Sequence, residues 1–131
     1  RGEYALARPE LERSLEIAIA RFPVFRSLAT ASASLADGVS ALSYTEACFE
    51  LDEVATENSI VDISTPFWRS PEGHAAGIEY FEALDSGMLP NRWWIHDNIA
   101  NLAVRLGRTS RAEEAARRAS ELRVLDGVAP R

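Results

Sequence analysis

Lysine is missing from this chain, and cysteine and methionine each occur once. The single thiol, Cys48, rules out an internal disulfide and fits a reducing compartment, so a cytoplasmic protein is expected. No apolar run approaches the roughly 20 residues that span a bilayer, because Arg, Glu or Asp interrupts every candidate. No membrane partner is expected. No signal peptide is visible, and the chain begins at Arg1 rather than Met, as a fragment or a chain lacking its first residues would.

Histidine is scarce as well: His74 and His96 are the two in the chain. Neither stands in HxxxH or HxxE spacing, and Cys48 has no CxxC companion, which argues against zinc. The Glu-x-x-His pattern of a di-metal carboxylate site is absent. So are a phosphate loop, a dinucleotide fingerprint, a nucleophile elbow and a kinase signature. No cofactor is implied, and the case for an enzyme is weakened without being removed.

What is present is enough for one folded domain over 1–131. The chain has 131 residues, 47% of them hydrophobic, which is too apolar for disorder. All 14 basic residues are Arg, beside abundant Ala, a pairing that points to a GC-rich bacterial genome. The formal net charge is −6, unevenly placed: residues 1–91 hold six Arg and fifteen acids, residues 92–131 eight Arg and five acids. An acidic chain is repelled by nucleic acid and by anionic lipid, and the mildly basic tail does not reverse this.

The period is helical throughout. Over 43–58, Tyr44, Ala47, Cys48, Leu51, Val54 and Ala55 keep the spacing of one buried helix face, with Ser43 and Glu46 as a capping box. That places Cys48 in the core, as a small apolar residue rather than a nucleophile. Glu46, Glu50, Glu53 and Glu57 fall on the opposite face, as a solvated stripe or an acidic surface for a basic partner. Asn91 caps a helix with Ile95, Ile99, Leu102 and Leu106 inward, and Gly107 ends it in a left-handed turn. Ser110 and Glu113 form a second capping box, ahead of Ala112, Ala115, Ala116, Ala119 and Leu122. Glu113–Arg117 and Glu114–Arg118 are i, i+4 ion pairs. So short a link makes 91–124 an antiparallel hairpin. Ser70-Pro71 starts a helix that buries Tyr80, Phe81, Leu84 and Met88 and stops at Gly87. Near the N-terminus, Pro9 opens a helix that Pro23 ends, and another spans about 24–36 until Asp37-Gly38. The stretch near 58–71 has no helical period and reads as an ordered loop. Phe67 and Trp68 there either plug a gap between hairpins or, as long apolar loops often do, serve function.

Three stretches resemble the second helix of a tetratricopeptide repeat. They are Gly2-Glu3-Tyr4 with Ala7, Leu11, Ser14, Leu15 and Ile17; Ser43-Tyr44-Thr45-Glu46-Ala47 with Leu51 and Val54; and Leu106-Gly107-Arg108 with Ala112, Ala119 and Leu122. Asn98, Ile99 and Ala100 sit where the preceding helix of that family carries Asn, Leu and a small residue. Ala7 and Ala47 stand 40 apart, and Ala47 and Ala112 65, where the family repeats every 34 or so. The resemblance implies an all-α stack of antiparallel hairpins, about six helices, acting as a scaffold whose groove takes a protein or peptide.

The candidate binding residues are Trp68, Arg69, Trp93, Trp94 and His96. Neighbours on a helix point about 100° apart, so Trp93 and Trp94 cannot share a face, and one of them is left at an edge to anchor a partner. His96 reads as an exposed side chain beside a packed Trp; the alternative is a general base held by a carboxylate from another helix. Arg105, Arg108, Arg111, Arg117, Arg118 and Arg123 crowd the last hairpin without aromatic interleaving, so nucleic acid is not the expected partner. Two other functions stay open. One is a small ligand-binding or enzymatic domain with a pocket of Trp68, Arg69 and His96. The other is the oligomerisation part of a larger bacterial regulator, whose copies meet head to tail through the charge asymmetry.

Overall fold

A computed structural model describes the backbone of residues 2–127 and the side chains among them, except those of residues 2–11, Ser14, Leu15 and Ala18. The first repeat-like stretch, from Gly2 to Ile17, therefore has its matching side chains outside the described residues, except Ile17, which is exposed. Within the described residues the chain is all-helical, with no strand, and its six helices pack on one another. They are α1 Gly2–Ser34, α2 Gly38–Leu51, α3 Glu53–Ser64, α4 Pro71–Ser86, α5 Trp93–Arg105 and α6 Thr109–Leu125, with a 3-10 turn at Thr65–Arg69 between α3 and α4. No helix among the described residues is long and apolar enough to cross a membrane.

The helices stack largely in chain order: α1 on α2, α2 on α4, α4 on α5, α5 on α6. Each contact buries a stripe that one helix alone would leave in water. At the centre Phe67 lies 5.3 Å from Tyr80, which meets Phe81 edge-on at 5.5 Å. Around them close Ile60, Ile63, Leu84, Ile95, Ile99 and Leu102, all buried. Gly77 lets the turn approach α4: a Cβ there would stand 2.9 Å from Phe67 Cβ and 3.0 Å from Leu102 Cδ1.

Several boundaries match the sequence. Ser70 caps α4 by accepting from Gly73 N at 3.0 Å, ahead of Pro71. Gly87 closes α4, and Gly107 takes φ +72 between α5 and α6. Others differ. Helix α1 runs through both Pro9 and Pro23 as a single helix of 33 residues, about 50 Å long at 1.5 Å per residue. A proline inside a helix removes one hydrogen bond and crowds one carbonyl, a local cost. Downstream packing outweighs it: Ala29 and Ala33 are buried, and Phe25 stacks on Tyr44 at 6.4 Å. The turn after α1 rests on Ala36 in the left-handed region at φ 56, and Asp37 begins α2 instead of closing α1, accepting from Ser40 N at 3.0 Å.

The expected continuous helix over 43–58 is interrupted at Asp52, which is extended (φ −160, ψ 102) and caps α3 through Ala55 N at 3.0 Å. The Ser43–Glu46 capping box therefore lies inside α2. One extended residue resets the helical phase, so α3 buries Thr56, Ile60 and Ile63 and turns Val54 outward. The four glutamates accordingly belong to two helices and form no single stripe. The expected loop near 58–71 is helical as far as Ser64 and a 3-10 turn as far as Arg69. Its missing period has a simple cause, because Ile60, Ile63 and Phe67 are inward at helical spacing while exposed Val61 masks it. Helices α5 and α6 start at Trp93 and Thr109 without a side-chain cap, and Asn91 lies outside α5 at φ 60.

Candidate functional site

The five sequence candidates separate into three places. Trp68 is half-buried where the 3-10 turn meets α5, with Arg105 Cζ 5.1 Å above its ring. Its carbonyl accepts from His74 Nε2 at 3.1 Å. Arg69 beside it is exposed. Trp68 thus stacks nine residues along α5 from His96, about 13.5 Å at 1.5 Å per residue. The cleft that His96 lines has neither Trp68 nor Arg69 in its wall.

His96 is buried to 9% exposure rather than exposed, because α6 lies across this face of α5. Its Nε2 donates to Asp85 Oδ1 at 3.1 Å, and the same oxygen accepts from Asn91 N at 3.1 Å. This is the carboxylate from another helix that a general base requires. Around it opens a cleft of about 520 Å³ lined by Asp85, His96, Arg111, Glu114, Arg117, Arg118 and Glu121. Most of its charges are matched to one another, with Arg117 left without an ion pair among the described residues. Arg111 reaches Glu82 at 3.5 Å and Glu114 at 3.7 Å; Arg118 reaches Glu121 at 3.4 Å and Asn91 Oδ1 at 3.3 Å. These are the ion pairs of α6, where Glu113–Arg117 and Glu114–Arg118 were expected. Among the described residues no Ser, Thr or Cys lines the cleft, so none of these presents a hydroxyl or thiol there to the His–Asp pair. Among the described residues no cluster of His, Cys, Asp and Glu is arranged to hold a metal ion.

Trp93 and Trp94 lie elsewhere, at the start of α5 facing α3. They line a groove of about 420 Å³ with Glu57, Asn58 and Val61. Both indoles are partly exposed, and each is held from behind. Arg123 of α6, itself buried, places its Cζ 3.9 Å over the Trp93 ring. Trp94 packs on the core. A second hollow of about 180 Å³ continues the groove along α3, lined by Phe49, Glu53, Val54, Glu57, Met88, Leu89 and Arg92. Glu57 lines both hollows and meets Arg92 Nε at 2.7 Å, so one ion pair stands between them. The groove walls mix apolar and charged side chains, with Val54 and Val61 71% and 70% exposed on α3 beside Glu53 and Glu57. Neither valine was singled out from the sequence as exposed. The sequence pattern places Val54 on the buried face, and only the break at Asp52 turns it outward.

Elsewhere the buried polar groups serve packing. Cys48 lies in the core, its thiol pushed up by burial, an effect that nearby Arg26 opposes. The Thr45 hydroxyl donates to Ala41 O at 2.7 Å, so the Tyr80 hydroxyl, 2.9 Å away, donates to Thr45. No family model, curated protein or solved structure matches this chain.

Proposed function

We propose that the chain is a helical interaction module of tetratricopeptide-like build that docks a protein or peptide segment in the groove between α3 and the start of α5. The observation that carries this is two half-buried tryptophans braced from behind, opposite Val61 exposed on α3. Indoles fixed before binding lose little entropy on docking, and large aromatics in a central hollow are where interfaces concentrate their energy. The packing of α1 on α2, α2 on α3, α4 on α5 and α5 on α6 supports a repeat-like stack, although α4 rests on α2 rather than on α3. A cytoplasmic, bacterial setting fits the single buried thiol and the Arg-only basic residues.

The test is selection from a random peptide display library against the whole chain, followed by affinity measurement on two folded variants. Val61→Asp places a charge in the groove, and Val104→Asp places the same charge at an exposed site on α5 outside it. The reading expects selected peptides to lose at least about tenfold in affinity for Val61→Asp, the effect of losing a contact worth about 1.4 kcal/mol, and little for Val104→Asp. Equal loss from both, or none from either, would remove the groove from the account.

The 3.1 Å His96–Asp85 contact favours a second reading, a small polar ligand held in the other cleft. Ion pairs there engage Arg111 and Arg118 and leave Arg117 for such a ligand, whereas the groove presents two indoles braced from behind, so the groove is the stronger site.

A further inference from the structure

We infer that the occupant of the groove is a basic amphipathic helix with two apolar anchors two turns apart. This rests on the docking reading above and adds the partner's chemistry to it.

The spacing comes from α3. Val54 and Val61 are seven residues apart on one helix, about 10.5 Å along its axis. One borders each hollow, and the Arg92–Glu57 pair stands between the hollows. A helix laid alongside α3 meets both hollows with residues i and i+7, the spacing by which amphipathic helices enter grooves. Residues between the anchors pass over the ion pair, where a polar side chain is suited and a third apolar one is not.

The charge comes from the rim. Glu53 and Glu57 line the groove, and exposed Asp62 follows Val61 on α3. Asp126 acts on Arg92 from the end of α6. Of the nearby cations, Arg92 is bound to Glu57 and Arg123 is buried behind Trp93. Glu53 and Asp62 make no ion pair among the described residues. An occupant with Arg or Lys flanking its anchors would pair with these acids, and one with Glu or Asp would meet like charge. The excess of nine acids over Arg in residues 1–91 acts in the same direction at longer range.

The experiment uses four synthetic 18-residue helical peptides titrated onto the whole chain, followed by its tryptophan fluorescence. Three carry Leu at i and i+7 with flanking Arg, Gln or Glu; the fourth carries flanking Arg with Leu at i and i+5, which turns the second anchor away. The Arg peptide is expected to bind at least about tenfold more tightly than the Glu peptide and to weaken as salt rises. The i+5 peptide is expected to bind more weakly than its i+7 counterpart. Glu53→Arg, checked for helicity, should narrow the gap between the Arg and Glu peptides. Equal binding of Arg, Gln and Glu peptides would overturn the charge inference and leave the docking reading standing. Equal binding of the i+5 and i+7 peptides would overturn the helical spacing. Failure of all four, while library peptides still bind in a Val61-dependent way, would overturn the inference alone. Failure of library peptides as well would take the docking reading with it. Self-association abolished by Val61→Asp would overturn the inference in favour of a second copy.

Discussion

The pair of hydroxyls between α2 and α4 shows how much a single atom decides in this core. Thr45 already donates to Ala41 O, so it serves Tyr80 only as an acceptor. Thr45→Val therefore strands a buried phenol, at a cost of about 1–3 kcal/mol, whereas Tyr80→Phe leaves Thr45 its carbonyl and costs less. Urea denaturation of the two variants checks this, and equal losses would contradict the assigned donor. Burial drives the Tyr80 pKa above its ordinary value, with the Thr45 hydrogen bond opposing. The folded value exceeds the unfolded one, so the contribution of Tyr80 to stability is complete below about pH 10 and declines as pH rises above it. Unfolding midpoints measured from pH 8 to 11 should fall more steeply for the wild type than for Tyr80→Phe. Gly77→Ala would force a Cβ against Phe67 and Leu102 and should cost about 1–3 kcal/mol despite alanine's better helix propensity. Some residue roles were readable from the sequence, Cys48 in the core and Ser70 as a cap among them. The burial of His96 was not, because it depends on α6 crossing a face that periodicity along α5 treats as free.

At the scale of elements, Pro23 acts against its usual reading, whereas Asp52 takes the usual aspartate role of N-cap at a place where the apolar pattern runs on. Pro23 sits inside a helix that continues past it, and Asp52 breaks one that the pattern carries through. Pro23→Ala restores a backbone donor in an exposed stretch and should stabilise the fold, by up to about 3 kcal/mol. A fall in melting temperature would contradict the cost assigned to proline within this helix. Asp52→Ala removes the cap of α3 and should cost about 1 kcal/mol. Helices with one continuous inward stripe, α4, α5 and α6, were legible because the 3.6-residue period survives there. The 58–71 stretch was not, since exposed Val61 and buried Phe67 lie across a change from α to 3-10 geometry, where the period itself changes.

For the whole molecule, two of the concave regions on α5 among the described residues have opposite character. One is the polar cleft over His96, crossed by the ion pairs of Arg111 and Arg118. The other is the apolar groove under Trp93 and Trp94, rimmed by acids. The sequence located the tryptophans but not the helix opposite them, because Val54 and Val61 reach the surface only through the phase reset at Asp52. The most direct measurement is amide chemical-shift mapping of the labelled chain as the Arg-flanked i, i+7 peptide is added. The account predicts that the largest shifts fall on α3 from Val54 to Val61 and at the start of α5 around Trp93 and Trp94. Shifts centred on Asp85, His96 and Arg117 would contradict it.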